Sequence, residues 1–267
     1  MENNIILIER IPKVIHYCWF GKGAKPNIIK KCIKSWKKFC PDYQIIEWNE
    51  SNFDVTSNIY CETAYAAKKW AFVSDYVRLK VLYEYGGIYM DTDVELIKSL
   101  DSFLIHNCFL GFQHEKYVSN GLVTGAIRGH SFIAENLKVY DDMVFADDID
   151  SKTFVVCQEY TTGILKKSYG LKIPGDGTIQ RLSDIVIFPP EYFCPYDHRC
   201  FVMNKTENTV AIHHFASSWW DGKRKREYNK IKWMCKIDFF VHIPNRLLMK
   251  ILGIEKYEKM KSKIKGK

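Results

Sequence analysis

Residues 13–48 restrict the fold of this chain more than any other stretch. "KVIHYCWFG" (13–21) is a β-branched and aromatic run halted by Gly21 and Gly23. After Pro26, the residues Ile28, Ile29, Cys32, Ile33, Trp36, Phe39 and Cys40 recur at helical spacing with lysines between them, until Pro41 ends the pattern. "YQIIEW" (43–48) then reads as a second strand. Strand, helix and strand in that order imply parallel pairing through a crossover helix, and so an α/β fold.

The rest of the chain agrees with this opening. "TAYAAKKWAFVSDYVRLKVLYEYGG" (63–87) reads as mostly helical, stopped by Gly86 and Gly87, and "IYMDTDVEL" follows as a strand running into a turn. Farther on, "NCFLGFQ", "GLVTGAI", "DIVIFPP" and "TVAIHHF" read as short strands, and "SFIAENLKVYDDMV" and "CQEYTTGILKKSYG" as helices. At 267 residues the chain is long enough for one α/β domain with an appendage.

Charge marks where the appendage starts. Residues 222–267 hold 15 Lys/Arg against 4 Asp/Glu, whereas residues 1–221 hold 24 against 27. The expected division is an α/β domain, 1–221, and a basic amphipathic helical tail, 222–267. A slightly acidic body argues against nucleic acid as a partner, and the tail suits an anionic membrane surface or a solvated helix face. Nine cysteines, odd in number and without a CxxC spacing, read as reduced thiols and place the chain in the cytoplasm. The apolar run Ile5–Ile8 is too short for a secretion signal or a span, so any membrane association is expected to be peripheral, on the inner face.

The candidate chemistry centres on "GGIYMDTDVEL". With period-two alternation, Tyr89, Asp91 and Asp93 share one side of a strand while Ile88 and Met90 enter packing. Two adjacent carboxylates repel unless a cation relieves them, and oxygen ligands suit Mn²⁺ or Mg²⁺, which also take oxygens from a bound phosphate. The alternative is a solvent-facing acidic turn. Upstream, Ser74, Asp75 and Arg78 fall on one arc of a helix, able to grip sugar hydroxyls or phosphate, or else forming a surface ion pair. Downstream, "HHFASSWW" offers His213 or His214 as a further ligand.

In combination, "IPKVIHYCWFG", "AFVSDYVRLKVLYEYGGIYMDTDVEL" and "IHHFASSW" resemble the bacterial glycosyltransferases with a DXD sugar-binding motif. That group (glycosyltransferase family 32-like) includes capsular and surface polysaccharide transferases and yeast mannosyltransferases. The blocks are similar, too, to the glucosyltransferase domain of large clostridial toxins. The resemblance runs in order over about residues 11–220 and is loose across 101–200. It implies a GT-A, Rossmann-like nucleotide-sugar-binding fold with a divalent metal, usually Mn²⁺, and glycosyl transfer with retention of configuration.

Residue by residue, the resemblance implies that Trp19 stacks on the donor base and that Ser74, Asp75 and Arg78 hold ribose and sugar. Tyr89 lies beside the metal motif. Asp91 contacts ribose and metal, Asp93 binds metal directly, and His214 supplies the third metal position. Ser217 or Ser218 and Trp219 close over the diphosphate. Asp75, Arg78, Asp91 and Asp93 form the expected catalytic set. Asn120, Thr162 and Gly163 match the sugar-pocket segments loosely, since the family's usual asparagine context and a proline after the glycine are missing. The implied partners are a nucleotide-sugar, with UDP-sugar favoured, and a glycan or lipid-linked glycan acceptor in capsular or surface polysaccharide synthesis. Two rivals stand beside this reading: a non-catalytic nucleotide-sugar-binding or membrane-associated accessory protein of the same fold, and a metal-dependent phosphodiesterase, which ordinarily needs more clustered acids and histidines than the sequence holds.

Overall fold

In the computed structural model, the opening unit consists of β1 (Val14–Cys18), α1 (Asn27–Phe39) and β2 (Gln44–Trp48). β1 and β2 are parallel, in register from Val14 opposite Gln44 to Cys18 opposite Trp48. The structure describes residues 10–146, 156–175, 177–197, 202–216 and 226. The chain forms two compact units, residues 1–197 with 203–219, and residues 198–202 with 220–267. Apart from Val202, every element described below belongs to the first. The expected tail, apart from Arg226, lies outside the described residues.

The mostly helical stretch expected over 63–87 is present as two helices, α2 (Ile59–Ala66) and α3 (Trp70–Tyr85). Asn58 starts α2 early by accepting the Cys61 N–H on its side chain. Lys68, at φ 59°, ends it, and the Lys69 N–H turns back to the Ala64 carbonyl at 2.9 Å. Such a left-handed closure is made by backbone hydrogen bonds, so the apolar spacing of side chains carries no trace of it. Gly86 (φ 68°) and Gly87 (φ 101°) then turn the chain into β3 (Gly87–Met90). A Cβ on Gly87 would lie 2.8 Å from the Val14 carbonyl oxygen, so this crossing needs glycine.

After β4 (Val94–Leu96) come β5 (Cys108–His114), β6 (Tyr117–Ser119) and β7 (Val123–Ala126). Next are α4 (Ser131–Lys138) and α5 (Cys157–Tyr169), then β8 (Gln180–Leu182), β9 (Ile185–Phe188) and α6 (Pro190–Phe193). The short strands β10 (Tyr196–Asp197), β11 (Val202–Met203) and β12 (Ala211–His213) complete the described elements. α4 stops short of the expected 131–144 because Tyr140 leaves the helical path to pack in the core against Tyr60, with ring centroids 4.8 Å apart.

The main sheet has the order β2-β1-β3-β7-β5-β9-β8, with β6 also paired to β5. β2, β1 and β3 are mutually parallel, and so are β5 and β9; β7 runs antiparallel between β3 and β5. The fold is therefore mixed α/β. Two apolar layers cover the sheet. One packs Tyr89, Leu110 and Ile187 with Val77, Leu82, Phe132 and Leu165 of α3, α4 and α5; the other packs Ile88, Met90 and Phe109 with Cys32 and Trp36 of α1 and Phe193 of α6. The alternation expected in β3 is present, but the Tyr89 side is core as well.

β4 leaves the main sheet and pairs antiparallel with β12, Val94 lying opposite His213 and Leu96 opposite Ala211. Its other edge is held by α1. The Trp36 indole N–H donates to the Val94 carbonyl at 2.7 Å, and the Leu96 N–H donates to Ser35 Oγ at 2.9 Å.

His16 ties β1, β2 and the Gly86 turn together. Its Nδ1 accepts the Trp48 indole N–H at 3.1 Å, so its Nε2–H donates to the Gly86 carbonyl at 2.8 Å. Burial lowers its pKa from 6.5 to about 4. The unfolded chain thus binds the extra proton between these values, and stability from this site is complete above pH 6.5 and lost as pH falls toward 4. The expected loss is on the order of 3 kcal/mol. Urea unfolding at pH 7 and pH 4.5 is expected to show a smaller pH-dependent drop in midpoint for His16→Gln than for the unaltered protein; equal drops would refute this assignment.

Candidate functional site

The C-terminal ends of β1 and β3 are adjacent because the strands are parallel, with His16 opposite Tyr89. The first half of α3 returns to this same edge because α3 leads directly into β3. Such an edge is where open α/β sheets bind ligands. There Arg78, nearly buried, divides its guanidinium between two acids. Nη1 lies 3.1 Å from Asp75 Oδ1, and Nη2 lies 3.0 Å from Asp91 Oδ1. Nη1 also donates to Asn120 Oδ1 at 3.0 Å, and the guanidinium sits over the Tyr89 ring, 5.1 Å from its centroid. Tyr89 completes the cluster by donating its hydroxyl to Asp91 Oδ1 at 3.1 Å.

One guanidinium thus faces two carboxylates. Burial pushes Asp75 up to about 6 despite Arg78 beside it, and burial likewise raises Asp91, again against the pull of Arg78. Asp91 is where the cluster meets solvent: its side chain is 30% exposed, against 11% for Asp75 and 6% for Arg78. Asp91 stands just beyond β3, its N–H donating to the Gly121 carbonyl at 2.8 Å, and the Val94 N–H closes a turn onto the Asp91 carbonyl at 3.0 Å.

That turn delivers Asp93 to β12. The Asp93 carbonyl accepts the His214 N–H at 3.0 Å; Oδ2 accepts the Ala216 N–H at 2.7 Å; Oδ1 lies 3.1 Å from His213 Nε2. Burial alone disfavours the Asp93 anion, but the His213 ring and the Ala216 N–H outweigh it and hold the carboxyl down to about 2. The same partner drives His213 well above the usual imidazole range, although burial opposes its charge. His214 is directed elsewhere: its Nε2 lies 2.8 Å from Glu95 Oε2, which also takes Lys31 at 2.9 Å. Adjacent strand residues face opposite ways, and the structure brings His213 rather than His214 to the acid pair.

The other expected residues are more dispersed. Ser74 donates its hydroxyl back to the Trp70 carbonyl at 3.0 Å. Trp19 is committed to its own loop, its indole N–H on the Gly23 carbonyl at 2.8 Å and Lys25 over its ring at 5.3 Å. Asn120 is buried behind Arg78, and Thr162 Oγ1 accepts the Val118 N–H at 3.0 Å. Gly163 is exposed on α5. Ser217, Ser218 and Trp219 lie outside the described residues. Sequence reasoning passed over Gly121, Asn136, Cys157, Thr161 and Ala216. Of these, Thr161 and Asn136 carried a signal: each is a polar residue on the buried face of its helix, among Cys157 and Leu165 in α5 and Phe132 and Ile133 in α4.

Two carboxylates and an imidazole are donors that fit a hard divalent cation, and the excess negative charge at Asp91 favours one. Asp93 and His213 are bonded to each other here, however, and among the described residues no three His, Cys, Asp or Glu side chains converge as a ready metal site.

Residues 26–110 match the family described as "glycosyltransferase sugar-binding region containing DXD motif". Ser74, Asp75, Arg78, Asp91 and Asp93 all lie within this match. The chain is 32% identical over 133 residues to inositol phosphoceramide mannosyltransferase 3 of Schizosaccharomyces pombe, covering 47% of this chain and 36% of that protein. It is 27% identical over 210 residues to the mannosyl phosphorylinositol ceramide synthase SUR1 of Saccharomyces cerevisiae, covering 74% of this chain and 51% of that one. The chain thus spans about a third to a half of these two relatives. Among solved structures, the PaToxG glycosyltransferase superposes with a TM-score of 0.47 at 19% identity, over 60% of this chain and 69% of that one.

Gly121 forms the wall against Asp91. A Cβ there would stand 2.2 Å from Asp91 Oδ2 and 3.1 Å from Arg78 Nη1. Gly121→Ala is expected to cost about 1–3 kcal/mol by overpacking. Gly163→Ala, where a Cβ meets nothing within 4 Å, is expected to be neutral or stabilising. Thermal unfolding of both variants checks the contrast, and a Gly121→Ala protein as stable as its parent would contradict the geometry.

Proposed function

We propose that this chain is a metal-dependent, retaining glycosyltransferase of GT-A type that moves a sugar from a nucleotide-sugar, read as a UDP-sugar, to a glycan or lipid-linked glycan of a surface polysaccharide. The observation that carries this reading is the arginine shared between Asp75 and Asp91 at the strand edge, with Asp93 secured next to it. It is supported by the DXD-type match over residues 26–110 and by relatives named for mannosyl transfer onto inositol phosphoceramide.

Asp75, whose carboxylate already accepts from Arg78, has acceptor capacity left for sugar hydroxyls. Arg78, fixed on both sides, orients that ring with little freedom left to lose on binding. Asp91 presents the exposed carboxylate of the cluster to the ribose or to a cation. Asp91, Asp93 and His213 are the residues that would hold Mn²⁺ or Mg²⁺, His213 taking the place expected of His214. Such an ion supplies positive charge against the charge that grows on a leaving diphosphate. Trp19, once Lys25 moves from its ring, offers a flat face to the donor base.

A panel of nucleotide-sugars with Mn²⁺, scored by released nucleotide, is expected to give turnover with at least one donor. Asp93→Asn is expected to lose at least about a hundredfold, in the range of removed electrostatic stabilisation. His213→Ala is expected to lose more than His214→Ala. Near-normal turnover by Asp93→Asn would overturn the reading, whereas a larger loss from His214→Ala would return the ligand role to that residue.

We propose further that residues 1–221 form the catalytic domain and that the basic tail, 222–267, brings the protein peripherally to the inner face of the cell membrane. Its 15 Lys/Arg against 4 Asp/Glu support this. The full chain is expected to float with phosphatidylglycerol vesicles at low salt and to be released at high salt; failure to float at any salt would remove the membrane role.

A further inference from the structure

Arg78 heads a chain of four polar side chains contributed by four different elements, and donor-binding roles account for only this first member. Arg78 Nη1 donates to Asn120 Oδ1 at 3.0 Å; Asn120 Nδ2 donates to Thr161 Oγ1 at 3.0 Å; Thr161 Oγ1 donates to Asn136 Oδ1 at 2.9 Å; Asn136 Nδ2 donates to the Phe132 carbonyl at 2.8 Å. Asn120 and Thr161 are each 1% exposed and Asn136 is 2%, so water cannot substitute for a lost partner. These residues come from α3, the turn between β6 and β7, α5 and α4.

The direction of the chain is set by its two ends. A guanidinium has only donors, so Asn120 must face it with its oxygen. That leaves the Asn120 NH₂ toward Thr161, whose hydroxyl accepts it and passes its own hydrogen to Asn136. Every donor therefore points away from Arg78 and every oxygen points toward it, an arrangement in which each bond polarises the next. A hydroxyl is needed in the middle, because only a group that accepts on one side and donates on the other keeps the sequence unbroken. A valine of the same shape would leave the buried Asn120 NH₂ without an acceptor, and the amide would then be held by Arg78 alone.

We propose that Thr161 and Asn136 are positioning residues: they lock the Asn120 amide so that Arg78 stays centred between Asp75 and Asp91. Neither touches the place where a donor would sit, and their effect on turnover rests on the glycosyl-transfer reading above.

The test uses the full chain labelled with ¹⁵N-arginine, with the Arg78 guanidinium signals identified by their loss in Arg78→Lys. The unaltered protein and Thr161→Ser are expected to show separate, slowly exchanging Nη signals for Arg78. Thr161→Val is expected to merge or broaden them and to lower kcat about tenfold, with a smaller change in donor KM. Thr161→Ser is expected to stay within about threefold of the parent, since the hydroxyl alone carries the relay. Asn136→Ala, which removes the hydroxyl's acceptor at one remove, is expected to broaden the same signals, and it decides the matter should Thr161→Val fail to fold. Unchanged Arg78 signals in a folded Thr161→Val, or in Asn136→Ala if that variant alone folds, would overturn the proposal, as would Thr161→Ser proving as damaging as Thr161→Val. If the unaltered protein releases no nucleotide from any donor, the glycosyl-transfer reading fails while the arginine signals still decide the relay.

Discussion

The site depends on one buried cation. Arg78 is enclosed by the sheet edge, α3 and α5, and its two nitrogens of greatest reach hold Asp75 on the same helix and Asp91 beyond β3. A guanidinium buried in this way must be matched by acceptors, and an acid left without it would be driven to neutrality by burial. Because two acids share one arginine, their charges are incompletely balanced, and the surplus sits on Asp91, the member nearest solvent. A cluster ion-paired in its interior through both Arg78 Nη atoms, with Arg78 Nε left without a partner, and negative at its mouth is suited to meeting a cation or a ring of hydroxyls.

The second acid is held by different means. Asp93 follows from a turn whose far end, β4, is gripped on one edge by Trp36 and Ser35 of α1 and on the other by β12. Residues 213–216 then wrap its carboxylate and its carbonyl. Sequence separation of more than a hundred residues between Asp93 and Ala216 is thereby closed by a three-residue ladder. Asp91 and Asp93 are one residue apart but belong to two substructures, one anchored through α3 and one through α1 and β12.

Much of this was legible in the residues alone. The opening β–α–β unit, the Gly86-Gly87 stop and the alternation of Ile88, Tyr89 and Met90 follow from local sterics and apolar period, and the structure contains them. The i,i+3 relation of Asp75 and Arg78 follows from helix geometry. What periodicity misses is structure made by backbone bonds, as at the Lys68 break, and contacts set by tertiary approach, as in the choice of His213 over His214 or the closeness of Gly121 to Asp91. β6 and β8 are three residues each and leave too short a pattern to read. Thr161 and Asn136 were visible as polar residues at core-facing positions, yet their meaning appears only once Asn120 is seen to link them to Arg78.

The central claim is that the acid pair and its arginine together receive a diphosphate-bearing ligand through a divalent cation. Isothermal titration of the full chain with UDP, in the presence of Mn²⁺ and again with the metal chelated, tests this most directly. Binding that requires Mn²⁺ and disappears in Asp91→Asn is the predicted result. Equal affinity with and without the metal, or binding undiminished by Asp91→Asn, would contradict it.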